Sequence, residues 1–273
     1  MQPMAKLLGQ SRPGQETRAS ATGGVGQRLG PAVWPLAVLA VILIGWSLYA
    51  QSAQGHVFPT PRATVAGFWH ALLSPADWRA TVLSWRSLAI GYAVASALGL
   101  LLGLVMGMSR RADRVLGIYL DIVLVTPMIV LMPIVLMAIG VTATAEVVVV
   151  IFFALPYVTL PVRNGVRAMP QLWFDLAHSL CATRRQVWRF ILLPGTRASA
   201  VHGLRLGLAH ALSGLFIVEL TLVSIGTGKV IMADEANFDF GAMIGYIVLV
   251  MLQVLIVMTG LRYLDRNRRD VAL

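Results

Sequence analysis

The sequence predicts an all-α integral membrane protein with six transmembrane helices, and three observations carry that reading. Of the 273 residues, 58% are hydrophobic and only 12% are charged, giving a mean hydropathy of +0.77. A soluble domain carries roughly 25% charged residues, so this chain lacks the groups for a solvated surface. Six apolar segments reach or approach the ~20 residues that a helix needs to cross a bilayer. They lie at about 32–50, 84–108, 115–139, 145–162, 198–222 and 241–262. The basic residues, finally, fall mainly in alternate linkers. With the N-terminus inside, the inner segments hold Lys6, Arg12, Arg18 and Arg28, then Arg110, Arg111 and Arg114, the group from Arg163 to Arg205, and Arg262, Arg266, Arg268 and Arg269. The outer segments hold Arg62, Arg79, Arg86 and Lys229. This asymmetry places both termini in the cytoplasm.

The same asymmetry accounts for the net charge of +10. No zinc-finger spacing, RNP-type motif or aromatic-basic interleaving accompanies that charge, so nucleic acid is not a partner and membrane lipid is. A single cysteine, Cys181, excludes an internal disulfide, and the five scattered histidines suggest no metal site.

Taken in order, residues 1–30 combine Gly, Ser, Gln and Thr with basic residues and read as a disordered cytoplasmic tail. The membrane body follows over 31–270. "SLYAQSA" (47–53) is only a weak cleavage site, so the first span is expected to remain. Residues 51–83 and 223–240 read as outer loops suited to an external partner. The second span carries Gly91, Ala95, Gly99, Gly103 and Gly107 on one face, and the fifth repeats the device with Gly203, Gly207 and Ala211. Small faces let membrane helices approach closely, within a bundle or across a dimer seam. Pro127 and Pro133 are expected to kink or break the third span, because each lacks an N–H. "GVTAT" (140–144) makes a tight hairpin, after which Glu146 begins the fourth span near the interface and Pro156 and Pro161 shape its far half.

Ionisable residues inside spans are functional candidates by default. Here they are Asp121, His210 and Glu219, with Glu219 placed for a gate or a partner contact. No chain of acids crosses the bilayer, which argues against an ion-coupled secondary transporter, the main alternative class. His202 and His210 lie eight apart, but no convergent His, Ser or acid cluster suggests a membrane enzyme.

The longest inner connection, with its core at 170–195, reads as helix–turn–helix. After Pro170 a helix runs from Gln171 to Leu180, with Leu172, Trp173, Leu176 and Leu180 at helical spacing. The chain turns at Cys181–Ala182. Thr183 then caps a second helix, Gln186 completing a capping box, and Val187, Trp188, Phe190 and Ile191 follow before Pro194–Gly195 ends it. Clamped between two spans, this loop is a stiff lever whose apolar face meets a cytoplasmic protein, and not a DNA reader.

"DLAHSLCATRRQVWRFILLP" (175–194) resembles the EAA loop of ABC importer permeases. Asp175, Leu176 and Ala177 stand at its Glu-Ala-Ala opening, Cys181 at its glycine, and Leu193–Pro194 at its end. "FPTPRATVAGFW" (58–69), "GMSRRADRVLG" (107–117), "PMIVLMPIVLMAIG" (127–140) and "GLRLGLAHALSGLFIVEL" (203–220) resemble the subgroup that imports nitrate, sulfonates, taurine, bicarbonate or thiamine-precursor pyrimidines. The departures are Asp175 for Glu, Leu176 for Ala, Cys181 for Gly, and Ala209–His210 where glycine and a basic residue are usual. A cysteine in a left-handed turn costs roughly 1 kcal/mol, unless the turn differs.

The resemblance implies a type I importer permease in the bacterial inner membrane. It implies a homodimer with one central path, a cytoplasmic ABC ATPase dimer docked on the loops, and an extracytoplasmic solute-binding protein. Asp175, Leu176, Ala177, Cys181, Ala182 and Pro194 would form the coupling loop, and Met128, Met132 and Glu219 the path or outer gate. The chain has no GxxxxGK[ST] motif, so it is a transport subunit and not an enzyme, with ATP and Mg on the partner ATPase. A sulfonate-like anion is the leading solute by resemblance alone.

Overall fold

The computed structural model describes residues 30–52, 58–221 and 225–270. Residues 1–29 of the predicted N-terminal tail lie outside this range, and its last residue, Gly30, begins α1. The chain divides into two units, Met1–Leu48 and Tyr49–Leu273. The helix α1 (Gly30–Ser52), which lies in the first unit up to Leu48, covers the first predicted span, and Val38, Val41 and Ile42 are exposed along it.

The second unit contains α2 (Pro61–Leu73), α3 (Pro75–Met108), α4 (Arg110–Val125), α5 (Met128–Ile139), α6 (Ala143–Arg167), α7 (Gln171–Ser179), α8 (Arg184–Val187), α9 (Leu193–Thr221), α10 (Gly226–Ala236) and α11 (Phe240–Asp270). Four stretches are long and apolar enough to cross a membrane: Pro75–Met108, Ala143–Arg167, Arg184–Thr221 and Phe240–Gly260. The bent pair α4 and α5 makes a fifth if it counts as one span, and Ala37–Ser52 is a shorter apolar helix. An all-α, multi-pass membrane fold therefore stands, with four or five spans among the described residues.

The predicted break in the third segment falls at Pro127, where α4 and α5 meet at 102°. Thr126 is extended, with φ −75° and ψ 124°, as the ring of a following proline demands. Pro133 stays inside α5. Two expected boundaries are corrected. The reading of 51–83 as a loop gives way to helix over much of its length, and the second span begins at Pro75 instead of residue 84. The cause is local: Thr60 and Ser74 each cap a helix, accepting from the amides of Ala63 and Asp77, and each is followed by a proline at the first helical position. The outer segment 223–240 likewise contains α10.

Packing centres on α6. Val150, Ala154, Val158, Val162 and Val166, every fourth residue, form a ridge that is buried along its length. The small-residue stripe of α3 receives it. A Cβ added at Gly91 would lie 2.7 Å from Val150, one at Gly99 2.8 Å from Val158, and one at Gly103 2.7 Å from Val162. Gly107 meets Val166, and Ala95 is fully buried. On the other flank, a Cβ at Gly203 would lie 2.8 Å from the Val158 carbonyl oxygen, and Gly207 meets Val158 itself. Matching four-residue ridges and grooves let three helix backbones come close together. Leu88, Leu208, Leu212 and Leu215 extend this core, while α2 packs across the start of α11 at Gly67, Gly241 and Gly245.

Candidate functional site

Two places on this scaffold gather polar and exposed side chains: the end carrying α7 and α8, and the opposite end of the bundle.

At the first end, α7 closes in a Schellman motif. The Ala182 amide donates to the Ala177 carbonyl at 2.9 Å and the Cys181 amide to the His178 carbonyl at 3.0 Å. Cys181 supplies the left-handed residue, with φ +50°. The turn expected of a glycine is thus present with a cysteine in it. Thr183 then caps α8. Its hydroxyl accepts from the Gln186 amide at 3.4 Å, while its own amide donates to Gln186 Oε1 at 2.7 Å, the reciprocal box read from the sequence.

The expected stop at Pro194–Gly195 does not occur. Residues Trp188–Leu192 form a π-helical turn, in which the Leu193 amide donates to the Trp188 carbonyl, and α9 continues through Pro194. A proline in an α-helix collides with the carbonyl four residues back, and the wider π turn before Pro194 provides the local rearrangement such a site needs. The lever is therefore continuous with a span.

Along it Leu172, Trp173, Leu176, Leu180 and Phe190 are exposed, as are Asp175, Cys181 and Pro194. Ala177 is buried and Ala182 half-buried. Gln171 Nε2 donates to Asp175 at 3.4 Å. Behind the loop lies a cavity of about 780 Å³, lined by Gly107, Arg110, Arg167, Phe174, Arg184 and Trp188 among others. Next to it Asp113, in the first turn of α4, bridges two arginines of α6, lying 2.5 Å from Arg163 Nε and 2.7 Å from Arg167 Nη2. This clamp ties α4 to α6 beside the lever. Its sequence signal was an acid in a helix's first turn; its partners lie 50 and 54 positions away.

At the opposite end, Glu219 is fully buried. The Ser84 hydroxyl donates to its Oε1, the Gly228 amide donates to Oε2 at 3.2 Å, and the Thr227 amide donates to Ser84 Oγ at 2.8 Å. Gly226, at φ +62°, makes the turn that presents those amides, and a Cβ there would lie 2.7 Å from Glu219 Oε1. Thr81 and Tyr246 share a hydrogen bond of 2.8 Å that joins α11 to the same end of α3. Glu146 lies in the first turn of α6, at the start of that span as expected, and is fully buried; Ser84 and Ser87 of α3 and Val218 of α9 are buried as well. Asp234 on α10 is the titratable group outside the spans with a marked shift: burial, reinforced by Asp239 and Asp77, raises its carboxyl above the ordinary 3.8.

The remaining candidates are dispersed. Met132 is buried against Val149 and Val218, and Met128 lines a small apolar cavity beside it. Asp121 is exposed on α4. His210 stacks on Tyr157, with ring centroids 3.3 Å apart and planes 7° off parallel, so packing accounts for it. Among the described residues no group of three or more His, Cys, Asp or Glu is placed to hold a metal ion.

Known proteins resemble this chain in sequence and in fold. Residues 95–270 match the family model described as binding-protein-dependent transport system inner membrane component. The taurine transport system permease protein TauC of Escherichia coli (strain K12) is 25% identical over 253 residues, covering 86% of this chain and 90% of that protein. The putative aliphatic sulfonates transport permease protein SsuC of Bacillus subtilis (strain 168) is 27% identical over 205 residues, covering 75% and 73%. In fold, the chain resembles a crystal structure of the MetNI methionine ABC transporter in an inward-facing conformation. The TM-score is 0.56 at 20% identity, covering 73% of this chain and 99% of that one.

Proposed function

From the premise that this chain belongs to the family of binding-protein-dependent transport system inner membrane components, we propose that two copies of it form the membrane path of an ABC importer for a small sulfonate-like anion. The chain is a permease and not an enzyme; its family is one of transport components. In this reading α1 is the sixth span, both termini are cytoplasmic, and the α7–α8 lever projects into the cytoplasm. A separate ATPase dimer, carrying ATP and Mg, grips the two levers. A solute-binding protein docks at the end that holds α10.

The observation that carries the reading is the lever itself. Leu172, Leu176, Leu180 and Phe190 are exposed beside Arg184, Arg185 and Arg189 at one end of the bundle. Such an apolar patch rimmed by charge suits a protein partner. Because α8, the π turn and α9 run on without a break, force applied to the lever reaches the Gly203–Gly207 contact with α6. Closing the ATPases would draw the two levers together and tip the bundles between inward and outward states, whose populations the bound solute and nucleotide set. The sulfonate assignment is supported by the two relatives, a taurine and a putative aliphatic sulfonates transport permease protein. Asp175, Leu176, Ala177, Cys181 and Ala182 are assigned to the ATPase contact, Pro194 to the lever's junction with α9, and Met128, Met132 and Glu219 to the path or outer gate.

The test pairs the chain with the ATPase and binding protein encoded beside its gene. ATP-dependent uptake of an alkanesulfonate or taurine into vesicles is expected. Asp175→Arg should abolish co-purification of the ATPase while leaving the chain folded. Uptake without ATP, or undiminished co-purification of that variant, would overturn the reading.

A further inference from the structure

Glu146 is a buried acid that belongs neither to the α7–α8 lever nor to the residues assigned to the path. It is fully buried, and neither carboxylate oxygen has a hydrogen-bond partner among the described residues. Ser87, itself buried one turn beyond Ser84, lines one cavity with Ala143, Thr144 and Val147 of the same turns of α6, and Ser84 in turn donates to Glu219, so one face of α3 brings the two acids together. Glu219 differs in one respect: it accepts from both Ser84 and the Gly228 amide. The pair thus comprises one carboxylate held by a hydroxyl and an amide, and one whose sole neighbouring donor among the described residues is the Ser87 hydroxyl.

No cation offsets them. Around the pair, α3 carries Asp77, Arg79 and Arg86, α10 carries Lys229, Asp234 and Glu235, α11 carries Tyr246, and α5 carries no titratable group; Arg79 is exposed and donates to the Pro75 carbonyl. Arg86 and Lys229 are exposed, and neither forms an ion pair with Glu146 or Glu219 among the described residues. An ionised carboxylate taken from water into an apolar interior without a partner is so unfavourable that the group neutralises instead. A protonated acid has no such difficulty. A surface cavity lined by Ser87 and Arg86, together with Ala143, Thr144 and Val147 of the first turns of α6, opens beside Ser87.

We propose that Glu146 and Glu219, with Ser84 and Ser87, form a buried proton-binding site in which Glu146 holds the proton and Glu219 stays the acceptor. The site is defined without reference to any transported solute, so it does not depend on the import reading. It bears on α10. The Thr227 and Gly228 amides reach the bundle through Ser84 and Glu219, so the proton that keeps Glu146 neutral also keeps a second buried negative charge from opposing that attachment. Loss of the proton would release α10 from the bundle, making this end of the chain sensitive to pH.

The test is infrared spectroscopy of the full-length protein in membranes, with and without ¹³C-labelled glutamate. A carbonyl stretch of a neutral carboxylic acid is expected at neutral pH. It should shift with the label and exchange slowly in heavy water. Glu235 is exposed, so a shielded signal of this kind does not belong to it. The band should vanish in Glu146→Gln and persist in Glu219→Gln. Amide exchange over Gly226–Ala236 should accelerate at alkaline pH in the wild type relative to Glu146→Gln. If Glu146→Gln does not fold, the labelled wild-type band and the Glu219→Gln spectrum still decide the matter. A wild type without the band, a band lost only in Glu219→Gln, or a band that sodium ions at constant pH remove would each overturn the proposal, the last pointing to a metal cation in place of the proton.

Discussion

Replacing Cys181 by glycine should tighten the lever. Cys181 sits at φ +50° with both Schellman bonds formed. A left-handed conformation costs a residue with a Cβ about 1–2 kcal/mol. Glycine removes that strain but gives the unfolded turn more freedom, which offsets about 0.4–1 kcal/mol. The balance is about 0.5–1 kcal/mol in favour of Cys181→Gly, a roughly two- to fivefold shift in the opening equilibrium of the turn at tenfold per 1.4 kcal/mol. Hydrogen–deuterium exchange of the Cys181 and Ala182 amides reads that equilibrium directly. Both should exchange about two- to fivefold more slowly in Cys181→Gly. Cys181→Val should move them the other way, since a β-branched residue fits positive φ worst. Faster exchange in Cys181→Gly, or identical exchange in all three proteins, would refute the assignment of strain to this turn.

Other expectations follow from the packing and the charges. Gly103→Leu places a side chain where a Cβ already comes within 2.7 Å of Val162 and of the Thr159 carbonyl; overpacking of this kind destabilises by about 1–3 kcal/mol or more, and a lower Tm in detergent should show it. Gly117→Ala meets nothing within 4 Å and should leave the Tm unchanged or raise it. Asp113→Ala leaves Arg163 and Arg167 facing each other; the clamp is only partly buried, so a loss of about 1–3 kcal/mol is expected, and unfolding should become more sensitive to salt because screening then relieves a repulsion. Asp234 carries a raised carboxyl pKa in the folded state, so the native chain holds its proton more tightly than the unfolded one. The attachment of α10 should therefore strengthen as pH falls through that raised value toward the ordinary 3.8. Exchange over Gly226–Ala236 in the acid range should follow that sign and lose it in Asp234→Asn.

What the sequence determined by itself is everything that depends on neighbours within a few positions or on bulk composition. Hydropathy located the long apolar helices, because crossing a bilayer sets a length. Pro127 announced the break between α4 and α5, because a missing N–H is a local defect. The Thr183–Gln186 box formed as expected, since its bonds join residues three apart. The stripe of Gly91, Ala95, Gly99, Gly103 and Gly107 declared a close contact, though not with which helix. Pro194–Gly195 was misread as a stop because a proline reports the same local conflict whether a helix ends or widens into a π turn, and the span beyond it decides between the two.

Tertiary structure alone decided the partners across distance. The valine ridge of α6 became a ridge only when α3 and α9 met it from two sides. Asp113 acquired Arg163 across 50 positions, and Ser84 acquired Glu219 across 135. Glu146 looked like an interfacial residue, because an acid at the start of a span reaches water if nothing covers it. The fold covers it, and burial with no basic partner among the described residues sets this boundary residue apart from an ordinary one. Charge type and spacing are written along the sequence, but solvation is a property of what packs against a group, and packing exists only in three dimensions.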